Sequence, residues 1–570
     1  EPSQPGLAYG VEDRVPPLTL VLNALQHLAI ITPIGLVFPT LVARAAGAAP
    51  DTAESVLAAS LVALGIGSIL MCARTRVFGS GFLAPSVFTA AYLPASLAAA
   101  AAGGLPLVFG MTVFAGLCEI AFSYLLRRFR ALVPSEVAGL AVLMIGFTLG
   151  LLGFRLVFGL DPRGGATLAA SSHEAIALGL GTLVLIVVLN VWCGGILRIF
   201  AVLIGVVAGY AAAGLVGLVD RDLAGAGLAH ALVAWPGLPG VMPAFDAWLA
   251  PQFAIGALAA ALRAMGDITT CQRINDHGWS RPDFVSIGNG LRADGLSSVV
   301  AGLLGSVGLN TFSGSIGLSQ ATGVTARRVG FAIGALFAAL ACVPAVIGVA
   351  AAIPPPITGA VLLFSSAFIV ANGLQIIVAR LLDARRVVTI GLALIFGISH
   401  DVFFSFYATL PSWIGTIASS SLVVTLVIAL ALNAVFRLGI KRTVAVTAPI
   451  DGKLTDRLEA FCEASGAAWG AQREVVHRLF SAVLEAAELA YAQAAPGGDF
   501  ALTLTFDEFH IDATTRFAVA PERRADAAAV EEADEHGLDD LPMLLIRRFA
   551  DRVTRTLDRG DILIRMRFDA

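Results

Sequence analysis

The feature that most limits the possible folds of this chain is a succession of apolar runs, each close to the roughly 20 residues that a helix needs to cross the hydrocarbon of a bilayer. Seven runs lie in the first half, at 18–41, 52–72, 84–101, 105–126, 134–153, 174–193 and 196–218. Seven more lie at 250–270, 284–305, 316–326, 329–350, 357–379, 387–404 and 412–436. Only 14% of the 570 residues are charged, against about a quarter in soluble proteins. The sequence therefore predicts an all-α polytopic membrane protein with fourteen transmembrane segments.

Two polar, glycine-rich passages interrupt this pattern at matching places in the two halves. FGSGFLAP at 78–85 precedes the third segment, and LNTFSGSIGLSQATG at 309–323 forms much of the tenth. A bilayer tolerates irregular backbone only where protein or trapped water satisfies its polar groups, and paired broken segments indicate a transporter's midplane site. We therefore predict a 7+7 inverted repeat over about 18–218 and 250–436, with a short extended piece in segments 3 and 10. Two facing helix N-termini would then line a substrate site; an ordinary interhelical loop is the alternative.

The distribution of basic residues predicts the orientation. With residues 1–17 in the cytoplasm, the inner loops carry sixteen Arg and Lys residues and the outer loops only four. Such a bias favours cytoplasmic N- and C-termini in the cell inner membrane. The six cysteines are scattered, with no metal-binding or disulfide spacing. No nucleophile–base set is visible either, so we expect no enzyme activity, no metal, no cofactor and no nucleic-acid partner.

The composition changes sharply near residue 440. Residues 441–570 are charged and soluble in character, enough for one small domain. Strand-like alternation occurs at Thr443–Ala448, Ala501–Phe506 and Ile562–Phe568, an amphipathic helix is predicted at Arg473–Ala494, and Glu522–Asp540 is an acidic stretch predicted to be a mobile loop. The domains are therefore an N-terminal segment 1–17, a transmembrane domain 18–440 and a small cytoplasmic α/β domain 441–570.

Charged and polar residues inside the apolar runs are the candidates for chemistry. Arg263 and Asp267 are four residues apart in the eighth segment, which places them on one helix face. Charges at that depth are usually functional, although a structural ion pair is the alternative. Gln26 and His27 in the first segment are either substrate contacts or interhelical hydrogen-bonding residues. We interpret Asp294 as part of a structural pair with a neighbouring loop.

These residues also carry a resemblance. The run GLRADGLSSVVAGLLGSVGLNTFSGSIGLSQATGVTARRVG at 290–330, the Leu25–His27 triplet, FGSGFLAP and Gly266-Asp267 together resemble the nucleobase–ascorbate (nucleobase:cation symporter-2) family of xanthine, urate and uracil permeases. The resemblance implies a core and a gate domain, an elevator movement, a homodimer, and coupling to protons or sodium. It also implies that the substrate lies between helices 3, 8 and 10.

The sequence departs from the family pattern at the site itself. Where the family has two hydrogen-bonding residues in the tenth helix this chain has Gly314 and Ser315, while Gly317 and Thr322 are kept. The usual glutamate of the eighth helix is replaced by Arg263. Guanidinium only donates hydrogen bonds and stays positive, so the site favours an anion. The candidate substrate-binding residues are Arg263, Gly314, Ser315, Gly317, Ser80, Gly81, Phe82, Gln26 and Thr322, and the candidate proton- or cation-coupling residues are Asp267 and His27.

The leading hypothesis is a secondary active transporter, a proton- or sodium-coupled symporter for a small anionic, purine-like or organic-acid substrate. One alternative is a transporter-derived ligand sensor that signals through the C-terminal domain, and another is an anion exchanger like the sulfate carriers. Residues 441–570 resemble, more weakly, a degenerate anti-sigma-kinase ATPase domain, with Leu489 near the place of the magnesium-binding Asn. A sulfate-transporter-type tail with a parallel βαβ pattern is the other interpretation. On either view the domain is expected to bind a cytoplasmic regulatory protein.

Overall fold

The computed structural model describes residues 7–129, 135–160, 172–219, 233–276, 279, 282–378, 382, 384–411, 418, 420–436, 442–469, 471, 473–495, 497–506, 510–521, 541–558 and 560–569. The chain divides into two compact units. The first comprises Glu1–Gln375 with Leu392–Ala429, and the second comprises Ile376–Gly391 with Leu430–Ala570.

The part of the chain before residue 440 is almost entirely helical. Its helices are α1 (Pro17–Ala45), α2 (Pro50–Cys72), α3 (Leu93–Phe129), α4 (Ser135–Phe158), α5 (His173–Val191), α6 (Gly195–Ile199), α7 (Ala201–Val216), α8 (Ala250–Asn275), α9 (Phe284–Leu304), α10 (Ser313–Thr322), α11 (Arg327–Ala341), α12 (Pro344–Ala351), α13 (Pro355–Val378), α14 (Ala384–Val402), α15 (Phe404–Ala408) and α16 (Ser421–Phe436). Helix α3 contains a break at Gly103 and Gly104. Gly104 has φ +70°, a conformation that glycine adopts without strain.

The lengths and hydropathy of these helices identify a multi-pass membrane protein. Among the described residues, seven helices are long and apolar enough to cross a bilayer, and α11 with α12, which meet at 84°, would make an eighth. Helices α7 and α16 are apolar but shorter. The count of fourteen segments and the inverted repeat stay predictions.

The two predicted extended pieces are present and pair with each other. Strand β1 (Ser86–Phe88) and strand β2 (Leu309–Thr311) form an antiparallel two-stranded sheet in which Ser86 lies opposite Thr311. All six residues are buried. Pairing supplies the backbone hydrogen bonds that a non-helical segment needs inside a membrane protein.

The predicted helix boundaries at these two places were wrong. The third helix was expected from residue 84, but it begins at Leu93, and α10 spans Ser313–Thr322 instead of 316–326. The apolar residues after Pro85 continue the hydrophobic pattern of a helix, yet they form β1 because β2 lies beside them. The Pro85 carbonyl accepts a hydrogen bond from the Phe312 N–H at 3.1 Å, which joins the two broken passages directly.

The second unit contains a five-stranded sheet. Its elements are β3 (Arg442–Pro449), α17 (Leu454–Trp469), α18 (Arg473–Gln493), β4 (Asp499–Phe506), β5 (His510–Ala518), α19 (Leu541–Phe549), β6 (Arg552–Asp558) and β7 (Asp561–Asp569). The strand order is β3-β4-β5-β7-β6, and every neighbouring pair is antiparallel. Alternate residues of β4 and β7 are buried, and with α17, α18 and α19 they form one apolar core.

Strands β3, β4 and β7 and helix α18 match the elements predicted from the pattern of apolar residues, whereas β5, β6, α17 and α19 were not predicted. The expected α/β domain is, more specifically, an antiparallel sheet with helices, because β3 pairs antiparallel with β4 across the intervening α17 and α18. No parallel strand pair occurs among the strands described for this unit, which argues against the parallel pattern of a sulfate-transporter-type tail. The acidic stretch Glu522–Asp540 lies outside the described residues.

Candidate functional site

Asp267 is the centre of a polar cluster that joins α8 to β2 and α10. Its carboxylate accepts hydrogen bonds from the Thr311 hydroxyl at 2.7 Å and from the Ser313 hydroxyl at 2.6 Å. Ser313 is the first residue of α10, so the negative charge lies at the positive end of that helix. Asp267 is only 7% exposed. The site that α10 offers to an anion is therefore filled by the protein's own carboxylate in this structure.

Arg263 lies one helical turn before Asp267 and faces the same cluster. Its Nε is 4.0 Å from Asp267 Oδ2, and its side chain is 11% exposed. That distance allows electrostatic attraction but exceeds a hydrogen bond. Within the described part of the chain, the guanidinium makes no hydrogen bond and only this one ion pair. Arg263 therefore points neither to lipid nor to open water, and its donors remain available to a ligand.

Asn310 adds an unpaired polar group beside this cluster. The Thr311 hydroxyl lies 3.0 Å from Asn310 Oδ1, but it has a single hydrogen, which it donates to Asp267. Rotating the amide of Asn310 lets its Nδ2 donate to Thr311. In either orientation one polar atom of the fully buried Asn310 lacks a partner among the described residues.

His27 and Ser315 join α1 to α10. The His27 Nδ1 and the Ser315 hydroxyl form a short hydrogen bond, and both residues are buried. The two sequence candidates are thus in direct contact with each other. The neighbouring Gln26 has a buried Oε1 without a hydrogen-bond partner in the described structure.

The Ser80–Phe82 loop has a more structural environment than the sequence suggested. Ser80 donates its hydroxyl to the Met71 carbonyl at 2.9 Å, and the Gly81 N–H donates to the Ala73 carbonyl at 3.0 Å. The loop therefore caps the end of α2. Its residues line a cavity of about 460 Å³ together with Arg74, Trp279 and others, and no hydrogen bond described for them reaches Arg263. Phe82 packs on the apolar cluster that contains Ile316 of α10.

The remaining candidates lie along α10. Gly314 and Gly317 are exposed, and a Cβ on Gly317 would meet no atom within 4 Å. Thr322 donates its hydroxyl to the Leu318 carbonyl of its own helix at 2.9 Å. A Cβ on Gly314 would lie 2.7 Å from the Phe312 ring. The open space therefore lies beside Gly317 and not at the start of α10, and the hydroxyl of Thr322 is already engaged.

Sequence reasoning missed Thr311 and Ser313, the two hydroxyl donors to Asp267. The cue was available, because both lie in the polar passage and a buried carboxylate needs donors. The interpretation of Asp294 as partner of a neighbouring loop was wrong. Asp294 is fully buried, its carboxyl oxygens have no partner with full hydrogen-bond geometry among the described residues, and the group that it interacts with is Glu119 of helix α3.

Comparison with known proteins gives a consistent result. Residues 18–406 match the family model described as "Permease family". The chain is 27% identical over 452 residues to the xanthine permease XanP of Escherichia coli (strain K12), and the alignment covers 75% of this chain and 94% of XanP. It is 26% identical over 431 residues to the uric acid permease PucJ of Bacillus subtilis (strain 168), and the alignment covers 74% of this chain and 93% of PucJ.

Among solved structures, the chain is similar in fold to SLC26A9. The TM-score is 0.51 at 13% sequence identity, and the match covers 76% of this chain and 68% of SLC26A9. At this identity the likeness concerns the fold alone.

Proposed function

The chain belongs to the nucleobase–ascorbate permease family, a family of transporters and not of enzymes, and from that premise we propose that it is a secondary active transporter of a small anionic, purine-like or organic-acid substrate. The relatives XanP and PucJ are permeases for xanthine and uric acid by name, which supports a heterocyclic substrate. The anionic character is proposed from this chain's own residues.

One observation carries the choice of an anion. The guanidinium of Arg263 lies near the buried Asp267 without a hydrogen bond among the described residues, and Asp267 occupies the start of α10. An incoming anion can replace Asp267 at both positive groups, because a carboxylate or urate oxygen accepts the same hydrogen bonds. A neutral base offers no such exchange of charge. Gly314, Ser315 and Gly317 would then bound the substrate, with Gln26 supplying an unpaired acceptor.

The remaining parts of the proposal follow the family. Displacement of Asp267 from Arg263 frees a carboxylate to take a coupling proton or sodium ion, with His27 as a second coupling group. We propose an elevator movement of a core against a gate domain in a homodimer. The N-terminus and residues 441–570 would lie in the cytoplasm, on the inner side of the cell membrane, where the second unit would bind a regulatory protein.

Uptake by purified protein in proteoliposomes tests this function. Radiolabelled urate should accumulate when an inward proton or sodium gradient is imposed, and neutral uracil should not. Binding of urate without any uptake would favour the ligand sensor. Uptake that is indifferent to both cation gradients but needs an anion inside the vesicle would favour the exchanger.

A further inference from the structure

Glu119 and Asp294 are two buried carboxyls that the proposed binding site does not use. Both residues are 0% exposed. None of their four carboxyl oxygens has a partner with full hydrogen-bond geometry among the described residues, although Glu119 is close enough to interact with both Asp294 and Tyr92. Burying one ionised carboxylate without a partner costs several kcal/mol, and two adjacent carboxylates repel each other in addition. The buried pair is therefore stable only when a bound cation or proton neutralises part of its negative charge.

The two carboxyls are adjacent because α3 and α9 meet through glycines. A Cβ on Gly116 would lie 2.4 Å from the Gly295 carbonyl oxygen, and a Cβ on Gly295 would lie 2.6 Å from the Gly116 oxygen. The same added atom would be 3.0 Å from the Cβ of Glu119. Backbone contact this close leaves the longer side chains of Glu119 and Asp294 beside each other, where each is an electrostatic neighbour of the other.

Tyr92 supplies an independent polar group directed at the same point. It is 1% exposed, and its hydroxyl has no partner with full hydrogen-bond geometry among the described residues. The hydroxyl interacts most directly with Glu119, and Asp294 is a further electrostatic neighbour. Its ring is held against Phe253 at a centroid distance of 6.5 Å. A phenol donates one hydrogen bond. The group is therefore suited to stabilising one negative charge and not two.

The other titratable groups around the pair provide little positive charge. Asp294 also faces Asp267 and Arg263, and Glu119 also faces Cys118. Arg263 is thus the single cation described near three carboxyls, and it already pairs with Asp267. If all three carboxyls were ionised, two negative charges would remain uncompensated in a water-poor interior.

We propose that Glu119, Asp294 and Tyr92 form a proton-binding site, separate from Arg263 and Asp267, in which one exchangeable proton is shared between the two carboxyls. The protonated carboxyl donates to the ionised one, and the Tyr92 hydroxyl donates to the same negative charge. No group of three or more His, Cys, Asp or Glu side chains in the described residues could hold a metal ion such as zinc, and the experiment below separates a proton from sodium. Where the proposed transport function also holds, charge movement at Asp267 alters the affinity of this site through Asp294.

Infrared spectroscopy of the purified full-length protein in lipid tests the proposal without relying on transport. The carbonyl stretch of a protonated carboxyl is separate from the bands of an ionised carboxylate. We expect this band in the native protein at neutral pH, and its loss in both Glu119→Gln and Asp294→Asn. The matched control is Glu136→Gln, another buried glutamate, which has an interaction partner of its own and whose replacement should leave the band in place.

Two results would overturn the site. One is absence of the band from the native protein at neutral pH, a measurement that does not depend on any variant folding. The other is survival of the band in both Glu119→Gln and Asp294→Asn. If adding sodium at constant pH removes the band from the native protein, sodium displaces the proton from the two carboxyls, and this result would equally overturn the proposal. A band that behaves as expected in a protein without uptake would leave the proton site standing while the transport function is rejected.

Discussion

Replacing Asp267 with Asn is expected to tighten anion binding, which is the opposite of the usual effect of mutating a site residue. In the native structure the Asp267 carboxylate competes with the substrate for Arg263. At 4.0 Å and an effective dielectric constant of about 20, the attraction between two unit charges is about 4 kcal/mol. Both side chains keep about a tenth of their exposure, so water screens part of it. We expect about 1.4 to 2.8 kcal/mol to appear as a tenfold to hundredfold gain in affinity for urate.

The variant should remain folded because its amide can still satisfy both neighbours. The oxygen of Asn accepts from one hydroxyl of the Thr311 and Ser313 pair, and its amino group donates to the oxygen of the other. A matched control is Thr311→Val, which removes one hydrogen bond to Asp267 but keeps its charge, and which should change affinity far less.

Equilibrium binding of radiolabelled urate to the purified protein measures this prediction, and proteoliposome uptake with and without a proton gradient accompanies it. Asp267→Asn should bind urate more tightly and lose the stimulation of uptake by the gradient. Weaker or unchanged binding would refute the competition between Asp267 and substrate. Retained stimulation would refute the coupling role of this carboxylate.

The contact of His27 and the core of the second unit can be tested by substitution in the same way. Ser315→Ala leaves a buried ring nitrogen of His27 without its hydrogen-bond partner and should lower the free energy of unfolding by about 1–3 kcal/mol, measured by thermal denaturation. The control Ser319→Ala loses only a hydrogen bond to its own helix and should lower it less. Equal losses would contradict the structural role of the His27–Ser315 contact. Phe517→Ala empties a site that is 1% exposed and should destabilise the sheet by about 3–5 kcal/mol, seen as faster hydrogen exchange of its strands, and unchanged exchange would contradict the packing. Burial raises the pKa of Glu485 above its usual value. Protonated Glu485 therefore favours folding below its ordinary pKa, and this contribution to stability is lost as the pH rises through the raised pKa. Glu485→Gln should stabilise the unit at neutral but not at acidic pH, and stabilisation at acidic pH alone would contradict the direction of this pKa shift.

Much of the fold could be predicted because apolar length and alternation are local signals. Three strands of the second unit, β3, β4 and β7, were predicted from the alternation of apolar residues, as in β4, where alternate residues are buried. An extended piece in segment 3 was predicted, but its position at Ser86–Phe88 was not, because Val87 and Phe88 are apolar like the helix that follows and only the distant β2 makes these residues a strand. A three-residue ladder carries no periodicity that the sequence could reveal.

The site was predictable where charge spacing is local, and not where contacts are long-range. Arg263 and Asp267 are one turn apart on a single helix, so their proximity follows from helical geometry. Glu119 and Asp294 belong to different helices, and nothing near Glu119 in the sequence marks it as a partner of Asp294. Their meeting depends on the approach of the Gly116 and Gly295 backbones, which only the folded chain shows.

The central claim is that Arg263 selects a negatively charged substrate, and thermal stability in the presence of ligands measures it most directly. A ligand stabilises the folded state according to its concentration relative to its dissociation constant, so even weak ligands are detected at high concentration. The purified protein should be stabilised by urate and small carboxylates but not by neutral uracil. Arg263→Gln should lose this stabilisation, while Arg273→Gln, on the same helix, should keep it. Stabilisation of the native protein by neutral bases alone, or of Arg263→Gln by urate, would contradict the account.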